Sequence, residues 1–429
     1  MVPAAPDAWI TALQNYGTMS FGEVASTAIK YAREGITVHP TMAKFLTRYQ
    51  NNYRMWPSNS DIWQKNGQPL EVGDLLIQTD LAASIQYMVD QEAGAVKAGR
   101  QQGLQAARDA FYIGDIATKI IDYHKENDGL MTAEDMASYR TPIEEPLSIN
   151  FRGTEVFSCR PWCQGPVLLQ MLNILNDVDL QRMGHNSTEY IHYLAETIKL
   201  SFADRERYYG DPNYVNVPIE QLLSSEFAKQ RQQNIDPSKA WPQLPPAGAI
   251  RGFEGTNITS NTNSAASFSD PDTSYTCTMD KDGNVCSITP SDVSFESPVI
   301  PGLGFCPSAR GSQSFAIRGH ASEIAPGKRP RLTPNPAMAL KRNKFIMPLG
   351  APGGDAQPQG MLQVLLNHLV FGMDIQSSIE APRFSTHSQP NSFEPHEAKP
   401  GRLAIEEGIE QDIGTVSYTH LTLPTNREV

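Results

Sequence analysis

The spacing of apolar residues makes the first half of the chain mostly helical. Apolar residues recur three and four positions apart, as in amphipathic helices, in segments 20–35, 80–99 and 104–127. A fourth helix is expected to begin at about Ser187, with one apolar face. Asn186 and Glu189 have the spacing of a capping box at its start. The face of the fourth helix carries Tyr190, Ile191, Leu194, Ile198 and Phe202.

Strand patterns dominate after residue 272, and one earlier segment shares them. Residues 146–162 alternate in short runs that predict a hairpin. A second hairpin is predicted over 273–290, where Gly283 supplies a positive φ in the turn. Two further strands, over 331–341 and 344–354, precede one apolar helix. The chain is therefore expected to run from helices through a connector to strands.

The junction between connector and strands carries the first candidate chemistry. Residues 236–272 are rich in Pro, Gly, Ser and Asn, as in a linker or surface loop. Thr273 follows directly and opens a strand, so its hydroxyl could attack the carbonyl of Asp272 in a self-cleavage reaction. The freed amine, with a pKa of about 7.7 to 8.0, could then act as base. A threonine that merely opens a strand is also ordinary, so the pattern alone leaves both interpretations open.

Composition excludes several classes of function. Thirty-five basic against 47 acidic residues give a formal charge of −12, which argues against general binding to nucleic acid or anionic membranes. No apolar run is long enough for a membrane helix, and the N-terminus has no secretory signal pattern. Five cysteines suit structural thiols rather than a disulfide framework. Zinc, dinucleotide and P-loop motifs are absent from the sequence, so no metal or cofactor is expected.

An ordered series of motifs resembles one known family. In the second half these are "KDGNVCSIT", "APGKRPRLTPNPAM" and "LGAPGGDAQPQGMLQVLL", which resemble the small subunit of the γ-glutamyltransferase (γ-glutamyltranspeptidase) family. Upstream, "YGTMSFGEVASTAIKYAREGITV", "PWCQGPVLLQMLNIL" and "HNSTEYIHYLAETIKLSFADRERYYGDP" resemble its large subunit. The resemblance covers nearly all of residues 2–414. It implies an N-terminal-nucleophile hydrolase that cleaves itself into two subunits.

The resemblance also implies a fold and a division of the chain. The expected fold is α/β (α+β), a four-layer αββα sandwich lacking segments at both ends. Residues 1–272 correspond to the large subunit and 273–414 to the catalytic small subunit. Residues 415–429 look like a non-native, adapter-like tail. A gene fragment that neither processes itself nor turns over is therefore one alternative.

Family motifs assign expected roles around the nucleophile. Thr273 aligns with the catalytic threonine, so cleavage is expected between Asp272 and Thr273. Ser274 falls where a second hydroxyl residue usually follows. Ser291 corresponds, across a small gap, to a threonine that hydrogen-bonds the freed amine.

Two glycines match the family's oxyanion site. Gly353 and Gly354 align with paired glycines whose amide groups stabilise the tetrahedral intermediate, and glycine lets the backbone approach the substrate closely. A plain turn between strand and helix is the alternative interpretation.

The substrate pocket departs from the family pattern. Leu332 and Thr333 occupy the positions of paired serines, Ser314 replaces an acidic residue, and Asp292 lies near an asparagine position. Buried polar groups confer strong discrimination. Asp292, Thr333 and Ser314 are the candidate substrate-binding residues, and an acylase with non-glutamyl specificity is the alternative to a γ-glutamyl enzyme.

Expected partners also follow from the resemblance. They are a γ-glutamyl or acyl-amide substrate such as glutathione, water or an amine acceptor, and the chain's own cleaved subunit in a heterodimer. A periplasmic or extracellular location is implied for the full-length protein.

Overall fold

The computed structural model describes residues 1–255 and 273–409. Its contacts divide the chain into two compact units. The first comprises Met1–Ile143 and Asp292–Ala309, and the second comprises Glu144–Ser291 and Arg310–Val429. Asp272 and the adapter-like tail lie outside the described residues.

The first unit is mainly helical. Its helices are α1 (Ala5–Tyr16), α2 (Phe21–Glu34), α3 (Pro40–Arg48), α4 (Gln50–Tyr53), α5 (Pro57–Trp63), α6 (Thr79–Ala95), α7 (Arg100–Tyr112), α8 (Asp115–Glu126) and α9 (Ala133–Ser138). Its strands are short: β1 (Ile36–Thr37), β2 (Gln64–Lys65), β3 (Gln68–Pro69) and β4 (Leu75–Leu76). The predicted helices over 20–35 and 80–99 are confirmed as α2 and α6. A capping box between Ser20 and Glu23 begins α2.

The single helix predicted over 104–127 is wrong. The structure has two helices, α7 and α8, with a break at Ile113 and Gly114. Both of these residues donate their amides to Asp109 O, at 2.9 and 2.8 Å. A Cβ on Gly114 would lie 3.0 Å from Ala110 O, so glycine permits this tight break. Apolar residues continue at helical spacing across it because both helices bury a face in the same core.

The second unit combines strands with helices. Its strands are β5 (Leu147–Phe151), β6 (Thr154–Ser158), β7 (Thr276–Met279), β8 (Val285–Ile288), β9 (Ala337–Lys341), β10 (Phe345–Leu349), β11 (Phe384–Thr386) and β12 (Leu403–Ile405). Its helices are α10 (Gly165–Leu175), α11 (Leu180–Met183), α12 (Thr188–Tyr208), α13 (Ile219–Leu222), α14 (Ser225–Gln232), α15 (Gln357–Leu369) and α16 (Ile375–Glu380).

An antiparallel four-stranded sheet organises this unit, in the order β10-β9-β6-β5. Its neighbours pair in register, with Val156 of β6 opposite both Ile149 of β5 and Ala339 of β9. Helix α10 packs on β5 and β6 and also against α12 and α15. Both predicted hairpins are confirmed, as β5–β6 and β7–β8.

Helix α12 buries its predicted face but begins differently from the prediction. Tyr190 and the other four expected residues are fully buried. The N-cap is Ser187, whose hydroxyl accepts from the Tyr190 amide at 3.1 Å. The predicted Asn186 cap is wrong, because Asn186 has a φ of 54° and donates its side-chain amide to Pro382 O.

The described part of the connector, residues 236–255, packs on the helices of its own unit. Gly248 donates its amide to Asp204 at 2.7 Å and accepts from the Tyr208 hydroxyl at 2.7 Å. Arg231 donates to Pro246 O at 3.1 Å. In the described part of the chain, no helix is long and apolar enough to cross a membrane.

Candidate active site

The β7–β8 hairpin sets the position of Thr273. Its turn is closed by Asp280, whose carboxylate accepts from the amides of Asp282 and Asn284, both at 2.9 Å. Gly283 has a φ of 85°, as predicted for this turn. Beyond the paired strands, the Ser274 amide donates to Pro290 O at 3.0 Å. The two segments of the hairpin therefore remain side by side up to Thr273.

Thr273 and Ser291 meet through their hydroxyl groups. Their Oγ1 and Oγ atoms are 2.7 Å apart, and both residues are half-buried. Ser274 is exposed. The structure thus brings together two residues that the sequence assigned separately to the nucleophile and its support.

A buried arginine, Arg310, lies behind this pair. One of its terminal nitrogens donates to Ser291 Oγ, and its Nε donates to Ser291 O at 3.2 Å. Only 5% of Arg310 is exposed. Sequence reasoning missed this residue, because no motif or periodicity marks it.

Thr333 lies on the other side of Arg310. Its hydroxyl accepts from Gln313 Nε2 at 3.1 Å and from Arg310 Nη1 at 3.4 Å. Both Thr333 and Gln313 are fully buried. A short 3₁₀ helix, Arg310–Gln313, presents the two donors on one turn.

Leu332 and Ser314 flank these residues in sequence. Leu332 pairs through its backbone, donating to Trp162 O at 2.9 Å and accepting from the Gln164 amide at 3.1 Å. Ser314 follows the 3₁₀ turn and donates its amide to Gly311 O at 3.0 Å. Both side chains are half-buried.

The glycine pair forms a left-handed turn before α15. Gly353 and Gly354 have φ values of 110° and 54°. Gly353 O accepts from the Ala356 amide at 2.9 Å, which fixes the peptide plane between the two glycines. Consecutive amides in such a turn can form an anion-binding nest. The geometry is compatible with the oxyanion role predicted for these amides.

Gln164 connects this turn to Thr333. Its side-chain nitrogen donates to both Thr333 O and Gly354 O, each at 2.7 Å. Its side-chain oxygen accepts from Arg205 at 3.2 Å, and Gln164 is fully buried. Gln164 was also missed, although it lies within a quoted motif.

Buried charges hold the surrounding loops. Arg205 pairs with Asp355, directly after the glycine pair, and with the adjacent Glu206. Arg331, directly before Leu332, donates to both carboxylate oxygens of Glu206, at 2.7 and 2.9 Å. Burial alone would raise the pKa of Glu206, but Arg331 and Arg205 hold it well below its usual range. The ionised carboxylate therefore stays between the two guanidinium groups.

Asp292 belongs to the first unit, unlike the other described candidates. Its carboxylate accepts from the amides of Val293 and Ala309, at 3.0 and 3.2 Å. These bonds hold the ends of the 292–309 segment together.

The five cysteines have free thiols. Burial raises the pKa of the Cys163 thiol well above its usual value. Within residues 1–255 and 273–409, no group of three or more His, Cys, Asp or Glu side chains is arranged to hold a metal ion.

Comparison with known proteins identifies the family. The family model described as gamma-glutamyltranspeptidase matches residues 1–416. The glutathione hydrolase proenzyme of Escherichia coli is 29% identical over 417 residues, which cover 94% of this chain and 65% of the relative. The acylase ACY 1 proenzyme of a Pseudomonas species is 31% identical over 417 residues, covering 96% and 66% respectively. The chain thus spans slightly less than two thirds of the length of these relatives.

A solved structure supports the same conclusion. The cephalosporin acylase from Bacillus halodurans superposes with a TM-score of 0.80 at 28% identity, covering 98% of this chain and 70% of that one. The expected mixed helix and sheet fold of the N-terminal-nucleophile hydrolase type is confirmed. With the family match over residues 1–416, this chain belongs to the gamma-glutamyltranspeptidase family.

Proposed function

We propose that this chain is a self-processing amidohydrolase or acyltransferase with Thr273 as its nucleophile. It acts on γ-glutamyl compounds such as glutathione, or on a related acyl amide. The 2.7 Å approach of Thr273 Oγ1 to Ser291 Oγ is the observation that carries this proposal. A hydroxyl partner at this distance can orient the attacking oxygen for both self-cleavage and turnover.

Self-cleavage proceeds by attack of Thr273 Oγ1 on the carbonyl carbon of Asp272. The C–N bond between the two residues breaks as a C–O bond forms, and the Thr273 nitrogen takes up a proton. Water then hydrolyses the resulting ester. This restores the Thr273 hydroxyl beside the amine that the first step freed, and it leaves Asp272 with a terminal α-carboxylate. The two fragments remain together as a heterodimer.

Turnover uses the same hydroxyl with the freed amine as base. The Thr273 amine takes the hydroxyl proton as Oγ1 attacks the substrate carbonyl, and later donates it to the leaving amine. The amides of Gly353 and Gly354 stabilise the oxyanion in the tetrahedral intermediate. Water or an acceptor amine then releases the acyl group from Thr273.

An acylase with a non-glutamyl donor is a second candidate. Leu332 and Ser314 stand where the family has a polar and an acidic side chain, so two groups that would hold a γ-glutamyl head are altered. The similarity to the cephalosporin acylase also favours this alternative. The two candidates share one mechanism and differ only in the acyl group.

The test is intact mass measurement on the parent chain and its Thr273→Ala variant after incubation at neutral pH. We expect two fragments that meet at Asp272/Thr273 in the parent alone. The purified, cleaved protein is then assayed with γ-glutamyl and simple acyl anilides, which separates the two substrate candidates. A parent that remains uncleaved would contradict the proposal.

A further inference from the structure

Arg310 contacts Ser291 at two points. Its guanidinium donates to the hydroxyl oxygen of Ser291 through Nη2 and to the main-chain oxygen of Ser291 through Nε. Two parallel bonds from one planar group fix orientation as well as distance. The Ser291 side chain is thereby held in one rotamer next to Thr273.

The guanidinium is itself fixed from the opposite side. Nη1 lies 3.5 Å from Gln313 Oε1 and 3.4 Å from Thr333 Oγ1. The centre of the Phe393 ring lies 5.1 Å from the guanidinium carbon, within cation–π range. Arg310 therefore cannot shift without breaking bonds to buried residues.

We infer that Arg310 is a positioning residue for the nucleophile, acting through the hydroxyl of Ser291 on Thr273. The inference rests on the proposed function, because it assigns Arg310 a role in a reaction of Thr273. It goes beyond that proposal because neither the family motifs nor the predicted site includes Arg310.

The hydrogen-bonding capacity of a hydroxyl explains how this works. Ser291 Oγ has one proton to donate and two lone pairs that accept, whereas arginine can only donate. Arg310 therefore occupies a lone pair of Ser291 Oγ, and the proposal assigns the proton of Ser291 to the 2.7 Å contact with Thr273 Oγ1. The adjacent positive charge also makes that proton a better donor as negative charge develops on Thr273.

Lysine should not replace this arginine fully. An ammonium group keeps the charge but lacks the planar fork that reaches Ser291 Oγ and Ser291 O together. Arg310→Lys thus separates charge from geometry, and Arg310→Met removes both.

A thiol titration tests the contact without requiring enzyme activity. In the full-length Ser291→Cys variant, the pH dependence of alkylation by iodoacetamide is followed at position 291 by peptide-resolved mass spectrometry. A neighbouring guanidinium lowers a thiol pKa below the usual value of about 8.5. Adding Arg310→Met should raise the labelling midpoint by roughly one pH unit or more, and Arg310→Lys by less. Cys277, an exposed thiol in the same unit, serves as internal control and should keep its midpoint.

Self-cleavage provides the functional measurement. In protein that retains the native Ser291, Arg310→Met should slow fragment formation at least roughly ten-fold, and Arg310→Lys should recover part of the rate. Arg231→Lys is the matched control, since Arg231 is equally buried but pairs with Asp204 instead. Its cleavage rate, measured on protein with parent-like circular dichroism, should equal that of the parent.

The outcomes separate the two proposals. The inference is supported if the labelling midpoint at position 291 lies below the usual thiol value and rises when Arg310 is replaced. An unchanged midpoint in both Arg310 variants overturns it, whether or not the parent cleaves. A parent that does not cleave overturns the proposed function, and the titration still decides whether Arg310 acts on position 291.

Discussion

Tyr275 occupies the space that a side chain at Gly350 would need. A Cβ built on Gly350 would lie 2.2 Å from Cδ2 and 2.4 Å from Cε2 of the ring. Tyr275 follows Thr273 by two residues, and Gly350 precedes the Gly353 turn by three. This one close approach therefore links the strand of the proposed nucleophile to the loop of the proposed oxyanion site.

Gly350→Ala should disturb this link. The Tyr275 ring must move to admit the methyl group, and overpacking of this kind costs about 1 to 3 kcal/mol. We expect a lower urea midpoint and slower self-cleavage, because the displaced ring moves Thr273 away from Ser291. Both effects can be measured on one preparation.

Gly360→Ala is the matched control. Gly360 lies in α15, and nothing lies within 4 Å of its added Cβ, so alanine should stabilise the helix by up to about 1 kcal/mol. A Gly350→Ala protein as stable and as rapidly cleaved as the parent would show that the ring can move at no cost.

Elements with a clear period were predictable from the sequence. The alternation in 273–290 and the Asp-Lys-Asp-Gly turn predicted the β7–β8 hairpin. The face of α12 followed from spacing alone. Its first residue did not, because Asn186 and Ser187 are both good caps and only the path of the chain selects Ser187.

The parts of the site that join distant segments were not predictable. Gln164 bonds to Gly354 across 190 positions, and no local pattern indicates such a partner. Arg310 looks like any surface arginine until the fold buries it beside Ser291. Family motifs indicated Thr273 and the glycines, but the residues that hold them emerge only from tertiary packing.

Gln164→Met should lower turnover more than substrate affinity. Methionine has a similar size but leaves the oxygens of Thr333 and Gly354 without their donor. We expect kcat to fall roughly ten-fold or more as the oxyanion turn loosens, with little change in KM. Steady-state kinetics on the cleaved enzyme measure both constants.

Gln170→Met controls for the loss of a buried amide. Gln170 lies in α10, whose N-cap residue is Gln164, and is 1% exposed, but its partners are Asp204 and Tyr209. It should lose stability while keeping kcat. Equal kcat losses in the two variants would assign the Gln164 effect to general destabilisation.

Restoring polar groups should shift substrate preference. In the double variant Leu332→Ser and Ser314→Asp, these two positions carry the residue types that the family resemblance implies for holding a γ-glutamyl head. Each buried hydrogen bond regained contributes about 1 to 3 kcal/mol to discrimination. We expect kcat/KM for γ-glutamyl anilide to rise at least roughly ten-fold relative to a simple acyl anilide.

Ile324→Ser, at an exposed apolar position of the same unit, should leave this ratio of kcat/KM values unchanged. A constant ratio in the double variant would exclude these positions as specificity determinants.

Glu206→Gln should destabilise the second unit strongly. Glu206 is fully buried between Arg205 and Arg331, which are 0% and 1% exposed. Removal of its charge leaves two buried cations short of a counterion, a change that typically costs about 3 to 5 kcal/mol. Urea unfolding measures the loss in the free energy of unfolding.

Glu189→Gln is the control. Glu189 lies on the same helix as Glu206 but in an exposed pair with Arg182, so this variant should cost at most about 1 kcal/mol. Similar losses for the two variants would mean that the buried cations find other partners.

His387 should make stability depend on pH between about 4 and 6.5. Burial, with Arg402 and Lys399 nearby, lowers the pKa of His387 to about 4 despite the opposing effect of Asp355. The unfolded chain protonates this histidine at about 6.5, so between these values it binds a proton that the folded chain does not. Stability should therefore rise with pH across this window, by up to about 1.4 kcal/mol per unit.

The His387→Gln variant isolates that contribution. Burial raises the pKa of Asp204 to about 6, which makes stability fall with rising pH over part of the same window. This opposing effect is present in both proteins and cancels when they are compared. Raising the pH from 4.5 to 6.5 should therefore raise the urea midpoint less in His387→Gln than in the parent, or even lower it. Identical pH dependence in the two proteins would mean that His387 titrates alike in the folded and unfolded chains.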